Sequence, residues 1–186
     1  IPFRDFIASF ATEVAQASKD MEAGEEPPLM TIQARDGRSI PLAVGICFEA
    51  AYPLVIGDGV ARGGQVIVVP SNNYHFRSSG ESAQQGQLLR MRAMEYSRSA
   101  VQASTTGHSY VIRPDGTILA STGTEEAATL AADIPLRTSQ TLTALAGERI
   151  PGAVMVVTLI IAILATATVI GQGIRASARV RRASGH

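Results

Sequence analysis

The spacing of apolar residues changes several times along these 186 residues, and each change marks an element. Between residues 5 and 17, Phe6, Ile7, Phe10 and Val14 fall at helix-compatible intervals. Residues 19–28 are polar and acidic and end in Pro27-Pro28, which predicts a loop. Two β-type runs, 29–34 and 39–47, flank Arg35-Asp36-Gly37-Arg38, and an Asp-Gly pair between such runs predicts a hairpin. Residues 52–61 suit a helix weakened by Gly57 and Gly59. The continuous β-branched run 65–70 reads as a strand covered on both faces, and 71–80 as a polar loop. Residues 82–97 form the best helical pattern, with Leu88, Met91 and Glu95 on one side and Gln87, Met91 and Met94 on a neighbouring one. Strands are predicted at 99–104 and 109–113 around Thr105-Thr106-Gly107, and 117–121 pairs back after Pro114-Asp115-Gly116. A final strand is predicted at 127–134. Strands interleaved with helices and hairpins indicate an α/β fold built on a mixed layered sheet.

Beyond Arg149 the period disappears. Residues 150–174 carry no charge and are apolar on all sides, long enough to cross a bilayer with some tilt. A buried core helix is the weaker reading, because such helices are rarely apolar all round for this length. Pro151 suits a first helical turn, and Gly171 and Gly173 fall near the exit. Net charge adds to this picture. Residues 1–150 hold 12 basic against 16 acidic residues, whereas 151–186 hold Arg175, Arg179, Arg181 and Arg182 and no acid. By the positive-inside rule the arginine tail is cytoplasmic and residues 1–149 lie on the other side. The chain opens Ile1-Pro-Phe-Arg, with no Met and no signal peptide, so a C-terminal piece of a longer membrane protein is expected.

Composition narrows the chemistry. One cysteine excludes an internal disulfide and a thiolate zinc site, and the absence of Trp among few aromatics argues against a nucleic-acid stacking surface. His75 and His108 have no partner at metal spacing, so no metal is expected. The one thiol, Cys47, ends an apolar run and precedes Phe48 and Glu49. At such a strand end a cysteine can be lifted above a sheet edge as a nucleophile, with Glu49 reaching the same cavity and the following N–H groups aimed at an oxyanion. Local residues alone favour a small buried inert side chain over that role. The loop Ser71-Asn72-Asn73-Tyr74-His75 follows the buried strand, where α/β proteins place ligand contacts, although an Asn-rich turn explains it locally. Arg90, Arg92 and Arg98 with Glu81 and Glu95 read as a solvated or salt-bridged helix face. Lys19, the only lysine, reads as a solvated loop residue.

In their order, several of these segments resemble the nitrilase-type domain of the apolipoprotein N-acyltransferase family. Ile1-Pro2-Phe3-Arg4-Asp5 resembles the family's V-P-F-G-E, and Ile46-Cys47-Phe48-Glu49 its I-C-[YF]-E. Pro70-Ser-Asn72-Asn73 resembles the loop after the next core strand. Glu81-Ser-Ala-Gln-Gln with Arg90-Met-Arg92-Ala-Met-Glu95 resembles the M-x-R-x-R-A-x-E helix, and residues 105–107 and 114–116 match two family turns. Residues 134–143 are similar to the link into the last transmembrane helix of actinobacterial members.

The resemblance implies an α-β-β-α sandwich, incomplete here at its N-terminal side, followed by one transmembrane helix. The implied organisation is an extracytoplasmic catalytic portion over 1–149, a membrane helix over 150–174 and a basic cytoplasmic tail over 175–186. It implies a Glu–Lys–Cys triad in which Cys47 is acylated. The Glu and Lys would precede Ile1, Lys19 does not match, and this stretch alone would be inactive. Asp5, Phe48 and Glu49 fall at supporting positions, Asp5 in place of the family Glu and Phe48 in place of Tyr. Asn72 and Asn73 would belong to a substrate-binding loop. The implied donor is a membrane phospholipid and the acceptor an apolipoprotein amine, with no cofactor. A membrane-tethered hydrolase or a scaffold that has lost the triad are the alternatives.

Overall fold

Asp36-Gly37 turns the chain between β1 (Leu29–Gln33) and β2 (Ser39–Val44), which pair antiparallel from Leu29 opposite Ala43 to Gln33 opposite Ser39. This hairpin forms one side of the sheet in a computed structural model that describes residues 24–76, 79–147 and 149–183, with side chains described as far as residue 171. The predicted helix over 5–17, together with Asp5 and Lys19, lies outside the described residues.

From β2 the chain passes through a 3-10 turn (Cys47–Ala51) into helix α1 (Pro53–Ala61), where Pro53 at the first position costs no hydrogen bond. Strand β3 (Val66–Ser71) lies parallel to β2. A short 3-10 turn (Tyr74–Phe76) and helix α2 (Glu81–Tyr96) lead to β4 (Ser99–Ser104), parallel to β3. Strands β5 (Tyr110–Ile112) and β6 (Ile118–Ser121) close the other side antiparallel. The spatial order of the six strands is their chain order. The α/β reading with a mixed sheet therefore holds, and the described residues supply one sheet with a helical layer.

The core lies between one sheet face and that layer. Ala43, Ile67, Val69, Ala100, Tyr110 and Ile112 meet Ile56, Val60, Leu89, Ala93 and Tyr96. The buried stripe of α2 is Ser82, Gln85, Gly86, Leu89, Arg92, Ala93 and Tyr96. The side that carries Met91 and Met94 is exposed. The reason is close approach. A Cβ on Gly86 would stand 2.2 Å from Cε2 of Tyr110, so the helix lies against the sheet through small residues and leaves its methionines outside.

Two further expectations need correction. Arg98 is 1% exposed, not part of a solvated face. Its guanidinium donates to the carbonyls of Gly64, Tyr96, Ser97 and Ser139. Arg92 and Glu95 do form an ion pair, at 2.5 Å, but it is largely buried. The predicted strand over 127–134 is not a strand. Alanine-rich sequence with Pro135 at its end has little β preference. The chain that follows instead gives its carbonyls to side chains, Pro135 O to Ser99 Oγ and Ser139 O to Arg98.

A short helix α3 (Leu142–Ala146), capped by the Thr141 hydroxyl, packs on α1 and α2. Helix α4 (Arg149–Ala183) then runs 35 residues without a break at Gly171 or Gly173. Its 23-residue stretch Arg149–Gly171 is long and apolar enough to cross a membrane, and none of it is buried. The hydroxyls of Thr158, Thr166 and Thr168 donate back to the carbonyls of Val154, Ala162 and Ala165. That leaves no hydroxyl of these three without a partner in an apolar surrounding.

Candidate active site

β2 ends at Val44, three residues short of Cys47. Gly45 N–H still donates to Val68 O, and the chain then leaves the ladder. A Cβ on Gly45 would sit 2.7 Å from Cδ1 of Ile56, so that side chain would have to shift to admit it. Cys47 itself has φ +53°, in the left-handed region. A residue with a Cβ is held there at a cost of about 1–3 kcal/mol, so neighbouring interactions must enforce it. They are visible on both sides. Glu49 Oε2 accepts the Ile46 N–H at 2.7 Å, while Glu49 N–H donates to Ile46 O at 3.0 Å. Tyr52 N–H donates to Glu49 O, and Ala50 is fully buried in the core. Glu49 thus closes the elbow that presents the thiol and is not among the residues around the cavity beside it.

That cavity, about 290 Å3, is lined by Cys47, Phe48, Phe76, Glu81 and Gln85. The thiol is half-buried. Phe48 stands edge-on to Tyr52, with ring centroids 5.9 Å apart. Gln85 is anchored at the back, its Nε2 donating to Ser71 Oγ at the end of β3. Glu81 opens α2, which places its carboxylate above the same strand ends that carry Cys47. Phe76, Glu81 and Gln85 are not singled out as site residues by the sequence reading. The signal that could have found them is topological. β2 and β3 are parallel neighbours, so whatever follows β3 returns to the edge where β2 ends.

Asn72 and Asn73 do not line this cavity. Asn72 is exposed and its Oδ1 accepts the Tyr74 N–H, an Asx turn. Asn73 is 1% exposed and donates to Ser82 Oγ, which also accepts the His108 N–H at 2.8 Å. The same hydroxyl lies 3.2 Å from His108 Nδ1. With two donors already on Ser82 Oγ, its proton is free to be donated to Nδ1. Gly107 is obligatory beside this knot: φ is +101°, and a Cβ would meet Ser82 Oγ at 2.5 Å. The buried network pins the loop after β3 to the start of α2. No group of His, Cys, Asp and Glu suited to hold a metal occurs among the described residues.

A larger cavity, about 470 Å3, lies elsewhere, between α1, the end of α2 and the root of α4. It contains Leu54, Tyr96, Ala144 and Ile150 but no thiol.

Residues 10–144 match the carbon-nitrogen hydrolase family. The chain belongs to that family. Apolipoprotein N-acyltransferases are among its curated relatives. The protein of that name from Mycolicibacterium smegmatis is 38% identical over 102 residues, 55% of this chain and 17% of that protein. The one from Nostoc sp. is 32% identical over 142 residues, 76% of this chain and 27% of that protein. The matched part of the chain thus spans only 17% to 27% of these relatives' length. Among solved structures, a nitrilase-superfamily protein of Saccharomyces cerevisiae aligns with a TM-score of 0.47 at 25% identity, over 59% of this chain and 41% of that one. Cys47 is the only cysteine of this family member.

Proposed function

We propose that the protein to which this chain belongs is a membrane N-acyltransferase that modifies apolipoproteins, and that Cys47 is its acyl carrier. The observation that carries this reading is the Cys47 elbow, with a left-handed backbone, at the end of a parallel strand and open to a cavity. The kinship with proteins named apolipoprotein N-acyltransferase supplies the substrate class.

In the first step the Cys47 thiolate attacks the carbonyl carbon of a phospholipid ester. A C–S bond forms, the C–O bond breaks, and the lysophospholipid leaves with the thiol's proton delivered through a general base. In the second step the amine of the diacylglyceryl-cysteine attacks the thioester. A C–N bond forms, the C–S bond breaks and Cys47 is regenerated. Splitting the transfer gives two lower barriers in place of one. The Glu base and the oxyanion Lys lie upstream of Ile1 in this reading. Within the chain, the Glu49 N–H is already engaged with Ile46 O, which leaves the Phe48 N–H as the nearest amide to share the oxyanion. Asp5 supports the site, and Asn72 and Asn73 shape the loop over it. Residues 1–149 face away from the cytoplasm, 150–174 cross the membrane, and the arginines of 175–186 lie inside.

The test is acylation of the full-length protein with a phospholipid labelled in its acyl chain. Wild type should accumulate a hydroxylamine-sensitive adduct at Cys47, and Cys47→Ala should form none. Persistent labelling of Cys47→Ala would overturn the assignment. Appearance of free fatty acid in place of N-acylated lipopeptide would make the enzyme a hydrolase.

A further inference from the structure

Glu81 is the only charged group among the described residues that line the Cys47 cavity, and it makes no side-chain hydrogen bond or ion pair with any of them. The other acid at the elbow is spoken for, because the Glu49 carboxylate accepts the Ile46 N–H. The remaining walls are the thiol, the Gln85 amide tied to Ser71, and two aromatic rings, Phe48 and Phe76, that are 52% and 41% exposed. A carboxylate set half-buried among apolar walls lacks part of its hydration, and a cationic ligand would compensate it. Aromatic faces add attraction for the same kind of ligand. Size narrows the class. About 290 Å3 is room enough for a compact polar head.

We infer that Glu81 is a specificity-determining residue that binds a primary ammonium group beside Cys47. The inference rests on the acyl-transfer reading only for the source of that ammonium. It can be the head group of an ethanolamine phospholipid or the α-ammonium of the acceptor. Glu81 holds it by a charge-assisted hydrogen bond, with Phe48 and Phe76 flanking it. Such a bond contributes about 1.5–3 kcal/mol, or roughly ten- to a hundredfold in binding.

Protection of Cys47 from alkylation by iodoacetamide in the full-length protein reads cavity occupancy without requiring turnover. Four probes separate the sources: glycerophosphoethanolamine, glycerophosphoglycerol, a lipopeptide with a free α-amine, and its N-acetylated form. At least one ammonium-bearing probe should protect Cys47 better than its counterpart without the ammonium, and the pair that shows the difference identifies the source. Glu81→Gln should raise that probe's half-protection concentration by tenfold or more, and Glu81→Asp, which keeps the charge, should restore much of it. Equal protection by both members of each pair, absence of protection by any, or an unchanged concentration dependence in Glu81→Gln would overturn the inference. Failure of the acyl-transfer reading is seen separately, as the absence of Cys47 labelling by phospholipid.

Discussion

Arg98 is a cation that no carboxylate among the described residues meets. Four backbone carbonyls from the loop before β3, the end of α2 and the segment after residue 135 converge on its guanidinium. Burial pushes its pKa below the ordinary value, and Arg137 nearby adds to the shift, so the site itself opposes the charge. The carbonyl bonds offset that cost and tie three separate segments together. Arg98→Ala would leave those carbonyls unpaired in a closed space. Its expected effect is a loss of about 3 kcal/mol in stability, measured as a lower urea midpoint. Arg98→Lys keeps the charge without the planar fork and should lose less. The residue scale also shows what one chain can reveal. Cys47 stands out in the sequence through the ordered set of segments around it, since its contiguous neighbours alone favour an inert side chain. Glu81, 34 positions on, was read as one more helix charge, since only strand adjacency brings it back to the thiol.

Among the elements, α2 is where pattern and packing part company. Its length follows from the sequence within a residue at each end, but the face it buries does not. Methionine looks like core material, and serine, glutamine and glycine look like surface. Here the polar residues are buried because they hydrogen-bond across to β3 and to the loop at His108, and the glycine because Tyr110 fills its place. The same limit explains residues 127–134, where extended character was readable but the partner that would make a ladder was not. Gly86 tests the account. Gly86→Ala favours helix by propensity, by about 1 kcal/mol. The new methyl would nevertheless overlap the Tyr110 ring and push α2 from β5, which costs about 1–3 kcal/mol. Net destabilisation is expected, and the double variant Gly86→Ala/Tyr110→Leu should recover part of it. A thermal melt of all three chains decides; a more stable Gly86→Ala would show that the contact relaxes freely.

For the whole molecule, the described sheet and its helical layer end in a helix whose Arg149–Gly171 stretch is nowhere buried by the described residues. Over Arg149–Gly171 it extends about 34 Å at 1.5 Å per residue, against a hydrocarbon core of about 30 Å. Val154, Val156, Val157, Leu159, Ile160, Ile161, Ile163, Leu164, Val169 and Ile170 are all more than half exposed. In water that surface is untenable as an isolated helix. In a bilayer, side chains of this kind contribute about −0.3 to −0.6 kcal/mol each near the centre, so the set favours insertion by roughly 4–5 kcal/mol. One arginine at the centre costs about 3 kcal/mol. Ile163→Arg should therefore leave insertion marginal, and Ile160→Arg/Ile163→Arg should abolish it. The segment placed in a translocon insertion reporter, scored by glycosylation on either side, measures this directly. Full insertion of the double variant would mean that flanking contacts, rather than the apolar side chains, hold the helix in place. Stepwise loss would show that α4 is a span in its own right. In that case the Cys47 cavity is tethered near a lipid surface, where the proposed phospholipid donor and lipid-modified acceptor would both be concentrated.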